Sequence, residues 1–61
     1  MKPIYSYEME DINGETVEIF VYEDDTAAVR FYNYDLGTES VKAFQNESSA
    51  YNWAYKRGYR E

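Results

Sequence analysis

A chain of 61 residues with neither Cys nor His must build its fold from side-chain packing alone. A domain of this size buries only about 60% of the surface its unfolded chain exposes. Small scaffolds commonly add disulfides or a structural metal. Without Cys there is no disulfide here, and without Cys and His no structural zinc site. What remains is aromatic mass. Trp, Tyr and Phe number 1, 8 and 3. Each buries roughly 150–250 Å², so about half a dozen turned inward build a core, with dimerisation as a further source of buried area. The length allows one domain, 1–61.

Acids outnumber bases 12 to 6, for a net charge of −6. Disordered chains share that charge but are poor in aromatic and β-branched residues, and this chain is rich in both. No apolar run approaches the ~20 residues of a membrane span. Met1-Lys2-Pro3-Ile4-Tyr5 lacks the apolar stretch of a signal peptide. The absence of Cys fits a reducing interior, so a cytoplasmic protein is expected. The charge is uneven. Residues 1–25 carry eight acids against Lys2, a net −7, and residues 26–61 carry four acids and five bases, a net +1. The basic tip is Lys56-Arg57-Gly58-Tyr59-Arg60.

The spacing predicts four strands and a helix. Ile4–Ile12 places Tyr5, Tyr7 and Met9 on one parity and Glu8 and Glu10 on the other, the pattern of a half-buried strand. Asn13-Gly14 is a strong hairpin signal. Thr16–Tyr22 is apolar on both parities and reads as a central strand. Glu23-Asp24-Asp25-Thr26 turns the chain, Ala27–Tyr34 is the third strand, Asp35–Thr38 breaks it, and Ser40–Gln45 is a short fourth. Asn46 or Ser48 can cap a helix over 47–57. Asn46-Glu47-Ser48 also spells a glycosylation triplet, read here as that helix start. Ala50, Trp53 and Ala54 recur at helical spacing, Lys56 and Arg57 suit the helix dipole, and Gly58 stops the helix. The fold class is α+β, a three- to four-stranded antiparallel meander with one C-terminal helix on one face.

Two-residue loops at Asn13-Gly14 and Asp24-Asp25 pair Tyr7 with Phe20, Tyr5 with Tyr22, Phe20 with Val29 and Glu18 with Phe31. The face under Trp53 then holds Tyr5, Tyr7, Met9, Phe20, Tyr22, Val29 and Phe31. The opposite face holds Glu8, Glu10, Val17, Ile19, Val21, Arg30, Tyr32 and Tyr34, with Val17, Ile19, Val21, Tyr32 and Tyr34 forming an exposed patch; the alternative is that the helix covers this face and leaves Tyr5, Tyr7, Phe20 and Tyr22 outside. A one-residue slip in the second turn inverts the third strand.

The order Phe31–Thr38, Phe44, Ser49-Ala50, Gly58-Tyr59 is similar to the end of a WGR domain. The Trp-Gly-Arg signature is absent, with Tyr34-Asp35-Leu36 in its place. The basic character of such DNA-end-binding domains is absent too. The similarity is one of ββββα layout rather than kinship.

Nucleophilic catalysis by a Ser-His-Asp or Cys-His set is excluded by composition. The acids fall in turns and at exposed strand positions, where nothing separates their pKa values for acid–base work, so no enzyme, catalytic residue or cofactor is expected. Glu23-Asp24-Asp25 and Asp11-Ile12-Asn13-Gly14-Glu15 offer oxygens to a hard cation, but both read as turn chemistry, and no metal is expected. A net −6 disfavours nucleic acid, whose affinity comes mainly from cation contacts; the basic C-terminus is the credible place for it. Glu8 and Glu10, two apart on a strand, stand about 6.8 Å apart on one face, a phosphate-like interval. The expected function is therefore a non-enzymatic acidic binding protein. It would inhibit or modulate a larger protein by occupying its basic, nucleic-acid-binding surface, as a nucleic-acid mimic. By analogy this is the profile of bacteriophage and mobile-element accessory proteins. The partner-binding candidates are Glu8, Glu10, Glu23, Asp24 and Asp25 for charge, with Tyr32 and Tyr34 as aromatic anchors. Alternatives are a homodimeric module using the free sheet face, and a small nucleic-acid-binding domain using Tyr stacking and the basic C-terminus.

Overall fold

The structure, a computed structural model, describes residues 2–61. It contains β1 (Tyr5–Glu10), β2 (Thr16–Val21), β3 (Ala27–Asn33), β4 (Thr38–Phe44) and α1 (Glu47–Lys56). The strands form an antiparallel sheet in the order β1-β2-β3-β4. The helix packs on one face of that sheet. The expected α+β meander with a C-terminal helix is the observed fold.

The register differs from the expected one at both hairpins, and the turns explain why. Between β1 and β2 the loop has three residues, Ile12-Asn13-Gly14. The Gly14 N–H donates to the Asp11 carbonyl (3.1 Å) and the Asp11 N–H to the Glu15 carbonyl (2.9 Å). Gly14 alone in this loop has positive φ, +82°, so the turn is a type I turn closed by a left-handed residue, not a type I′ turn. Asp11 Oδ1 reinforces it by accepting from the N–H groups of Asn13 and Glu15, both at 2.9 Å. The second hairpin repeats the design. The Asp25 N–H donates to the Tyr22 carbonyl (3.1 Å), the Tyr22 N–H to the Thr26 carbonyl (2.9 Å), and Asp25 takes φ +72°.

Each loop is thus one residue longer than a two-residue hairpin. Tyr7 pairs with Ile19 and Tyr5 with Val21. Phe20 pairs with Ala28 and Glu18 with Arg30. Two one-residue shifts cancel for β3, which keeps the expected face, and leave β2 inverted. Val17, Ile19 and Val21 therefore lie in the core rather than in an exposed patch, and Phe20 sits on the open face. The third loop, Tyr34–Gly37, is closed by the Asn33–Thr38 pair, so β4 begins two residues earlier than expected.

Two cross-sheet rows define the covered face: Tyr5-Val21-Ala27-Phe44 and Tyr7-Ile19-Val29-Lys42. Ala50 and Ala54, both fully buried, let the helix approach Met9, Val17, Ile19, Val21, Ala27 and Val29 closely. Aromatics frame this aliphatic centre: Tyr7, Phe31, Phe44, Tyr51, Trp53 and Tyr59 are half-buried against it. Phe31 and Trp53 meet at a 4.9 Å centroid distance.

Both ends of the helix are tied to β1. Asn46 caps the start, its Oδ1 accepting from the Ser49 N–H (2.9 Å). The Tyr5 and Tyr7 hydroxyls both donate to the Glu47 carboxylate, at 2.5 and 2.8 Å. At the other end Gly58 (φ +94°) and Tyr59 donate their N–H groups to the carbonyls of Tyr55 (3.0 Å) and Ala54 (3.1 Å), the two bonds of a Schellman stop. Arg60 then exchanges two backbone bonds of 2.8 Å with Glu10.

Candidate partner-binding surface

The face away from the helix is built from the alternate strand positions. Its rows are Ser6-Phe20-Ala28-Ala43 and Glu8-Glu18-Arg30-Val41, flanked by the pairs Glu10–Thr16 and Tyr32–Glu39. Arg30 organises the middle. It forms an ion pair with Glu18 and lies 3.9 Å from Glu39. Its guanidinium sits 5.6 Å from the centroid of the Phe20 ring. These are the ion pairs among the described residues, so Glu8 and Glu10 have no cationic partner. Glu8 stands directly opposite Glu18, an arrangement that costs stability on a sheet.

The meander sends the β1–β2 and β3–β4 loops to one end of the sheet and the β2–β3 loop to the other. The candidates divide accordingly. Tyr34 lies in the β3–β4 loop, just past the end of β3, and its hydroxyl donates to the Glu15 carboxylate. Its ring meets that of Tyr32 edge-on, centroids 4.7 Å apart. Glu10, Tyr32 and Tyr34 therefore belong to this end, with Glu8 one step along β1. Glu23, Asp24 and Asp25 occupy the opposite loop. There Asp24 Oδ1 accepts from the Thr26 N–H (3.1 Å) and hydroxyl (2.5 Å), bonds that lower its pKa below the usual carboxylate value. Asp25 supplies the left-handed residue. Two of these three acids thus have a turn-forming task.

The shared end holds two residues for which the sequence suggested no binding role: Ile12, expected as the last residue of the first strand but lying beyond β1, which ends at Glu10, and Leu36, expected in the break after the third strand. Ile12, at the tip of the first loop, is 97% exposed, and Leu36, in the third loop, is 69% exposed, as is Tyr34. A nearly bare Ile in a loop adds nothing to the core. The legible signal was an apolar residue between Asp11 and Asn13, where turn chemistry asks for a polar one. With Asp11, Glu15 and Asp35 in the same loops, this end combines exposed apolar tips with carboxylates. Tyr59 packs beneath it. Burial, with the nearby Asp11 and Glu15 charges, raises the Tyr59 pKa above the ordinary value.

Among the described residues no group of three or more carboxylates is gathered closely enough to hold a metal ion. No helix among the described residues is long and apolar enough to cross a membrane. No family model, no curated protein and no solved structure matches the chain.

Proposed function

We propose that this chain is a non-enzymatic binding protein of the cytoplasm that docks on a basic, nucleic-acid-binding surface of a larger protein and modulates it. The contact is the loop end of the sheet with the adjoining edge of β1. Ile12, Leu36 and Tyr34 enter apolar contacts, and Glu8, Glu10, Asp11 and Glu15 face the partner's cations. The observation that carries this reading is the coincidence, at one end, of apolar side chains as bare as Ile12, Leu36 and Tyr34 with carboxylates that have no cationic partner among the described residues. Apolar anchors surrounded by charge are how protein interfaces gain both affinity and orientation. Glu23–Asp25 lie at the far end and add to the long-range field that steers encounter rather than to the contact.

The test is capture of partners on the immobilised protein, with competition by duplex DNA. The captured protein should bind nucleic acid, DNA should displace it, and retention should fall steeply between about 50 and about 500 mM NaCl as screening shortens. I12S and the double variant E8K/E10K should each reduce retention. Retention indifferent to salt and to E8K/E10K would overturn the charge-mimic mechanism.

A further inference from the structure

On the helix side of the same end lies an open groove of about 510 Å³ between the C-terminal half of α1 and the β3–β4 hairpin. That volume is in the range of small-molecule sites, ~300–1,000 Å³. Phe31, Trp53 and Tyr59 supply aromatic surface, with Tyr34 of the loop end also on the lining, Lys42 and Arg57 the cations, and Asp35 the one acid.

Two features of this groove suit an anionic, planar ligand; Arg60 is stacked on Tyr55 in a similar way (3.6 Å) but does not line the groove. The first is charge. Acids outnumber bases two to one in this chain, yet Lys42 and Arg57 face one groove and neither is in an ion pair, since the pairs among the described residues all involve Arg30. Lys42 sits opposite the fully buried Val29. It is thus a lysine on the helix side of an edge strand but itself exposed, beyond the helix, its ammonium 5.8 Å from the Phe44 ring centroid. The second is the preparation of Arg57. Its guanidinium lies 4.0 Å from the centroid of the Trp53 ring, and Nη1 donates to the Trp53 carbonyl (3.2 Å). An arginine held this way has little side-chain freedom left to lose. It offers an outer planar face for stacking and further N–H groups for an anion.

We infer that this groove binds a nucleotide unit, a planar base stacked against the Arg57–Trp53 pair with its phosphate between Arg57 and Lys42. Arginine planes and aromatic rings together are the surface on which unpaired bases stack. Asp35 at the rim disfavours a di- or triphosphate, so the ligand carries one phosphate per base. A free nucleoside monophosphate and a nucleotide within a single strand share that chemistry. A duplex does not, because its bases are stacked on one another.

Trp53 is the only tryptophan, so its fluorescence reports on this groove. The full chain is titrated with thymidine monophosphate, a short oligothymidylate, inorganic phosphate and a short duplex. Saturable quenching is expected with the first two and not with the last two. Tighter binding of the oligomer assigns the groove to a single strand, and equal binding assigns it to the free nucleotide. Either supports the inference. K42Q and R57Q should each weaken binding about tenfold, the loss of one charge-assisted contact, read as affinity rather than amplitude. R57K retains the charge and loses the plane, so it should weaken thymidine monophosphate without restoring wild-type affinity. For the oligomer, two cations predict a salt slope of about −1.4. Circular dichroism checks that each variant is folded, and K42Q, on an exposed strand position, carries the test if R57Q unfolds. Absence of saturable quenching, quenching unchanged in K42Q and R57Q, or equal binding of inorganic phosphate would overturn it. The acidic-end reading stands or falls separately: its variants are at Ile12, Glu8 and Glu10, and its competitor is duplex DNA, which this groove does not take.

Discussion

Glu47 shows how much one side chain can organise in so small a chain. As the first residue of α1 it places a carboxylate at the positive end of the helix dipole. It also receives two tyrosine hydroxyls from β1, some 40 positions earlier. Its bond to Tyr5 raises the pKa of that hydroxyl, and at Tyr7 burial adds to the same bond to raise it further. A phenol whose folded pKa lies above its unfolded value stabilises the fold fully below the unfolded pKa, near 10. That contribution is lost as pH rises through the folded values. Alkaline unfolding is therefore expected to set in above about pH 10, tracked by tyrosinate absorbance and circular dichroism together. Tyr7→Phe removes one bond to a charged acceptor at a half-buried site and should cost about 1 kcal/mol. That lowers the melting temperature by roughly 4–8 °C in a domain this size. It should also flatten the alkaline dependence, and an unchanged pH profile would remove Glu47 from its assigned place. The parity of Tyr5 and Tyr7 was legible in the sequence. Their shared acceptor was not, because it depends on where a distant helix begins relative to β1.

At the scale of elements, the two hairpins explain both what could be read and what could not. The strands followed from alternation in β1, an apolar run in β2 and turn signals between the rest, to within two residues at each end, and Asn46, Gly58 and the Ala50/Trp53/Ala54 stripe marked the helix and its packing face. Loop length was the failure. Asn13-Gly14 suits a two-residue type I′ loop and also the last two positions of a three-residue loop, and local sequence does not separate them. What decides is burial. The three-residue loop turns Val17, Ile19 and Val21 inward together, whereas the shorter one would expose them and bury Tyr22. Asp25 occupies a position that glycine fills in the equivalent first loop. Asp25→Gly should therefore stabilise the protein by about 0.5 kcal/mol, because relief of the left-handed strain exceeds the added chain entropy. Gly14→Ala, forced to the same positive φ, should destabilise it by about 1 kcal/mol. Urea denaturation reads both. If Asp25→Gly destabilises, the Asp25 side chain is worth more to the turn than its backbone strain costs.

For the whole molecule, the charge asymmetry read along the chain becomes one between surfaces. Glu8, Glu10, Asp11 and Glu15 line β1 and its loop, Lys42 and Arg57 face the helix-side groove, and Arg30 balances Glu18 and Glu39 between β2, β3 and β4. The acid on β1 has a cost as well as a proposed use, and that makes it testable. Glu8 faces Glu18 across the strands, so Glu8→Lys replaces repulsion with attraction and should raise stability by roughly 0.2–1 kcal/mol. The gain should shrink as salt screens the pair. If the acids serve partner docking, the same substitution weakens capture while it stabilises the fold. Opposite signs in the two measurements would mark Glu8 as a residue whose position favours binding over stability. A stabilised variant that captures the partner as well as the wild type would mean that the carboxylates on β1 serve solubility and edge protection, leaving Ile12, Leu36 and Tyr34 to carry the contact alone.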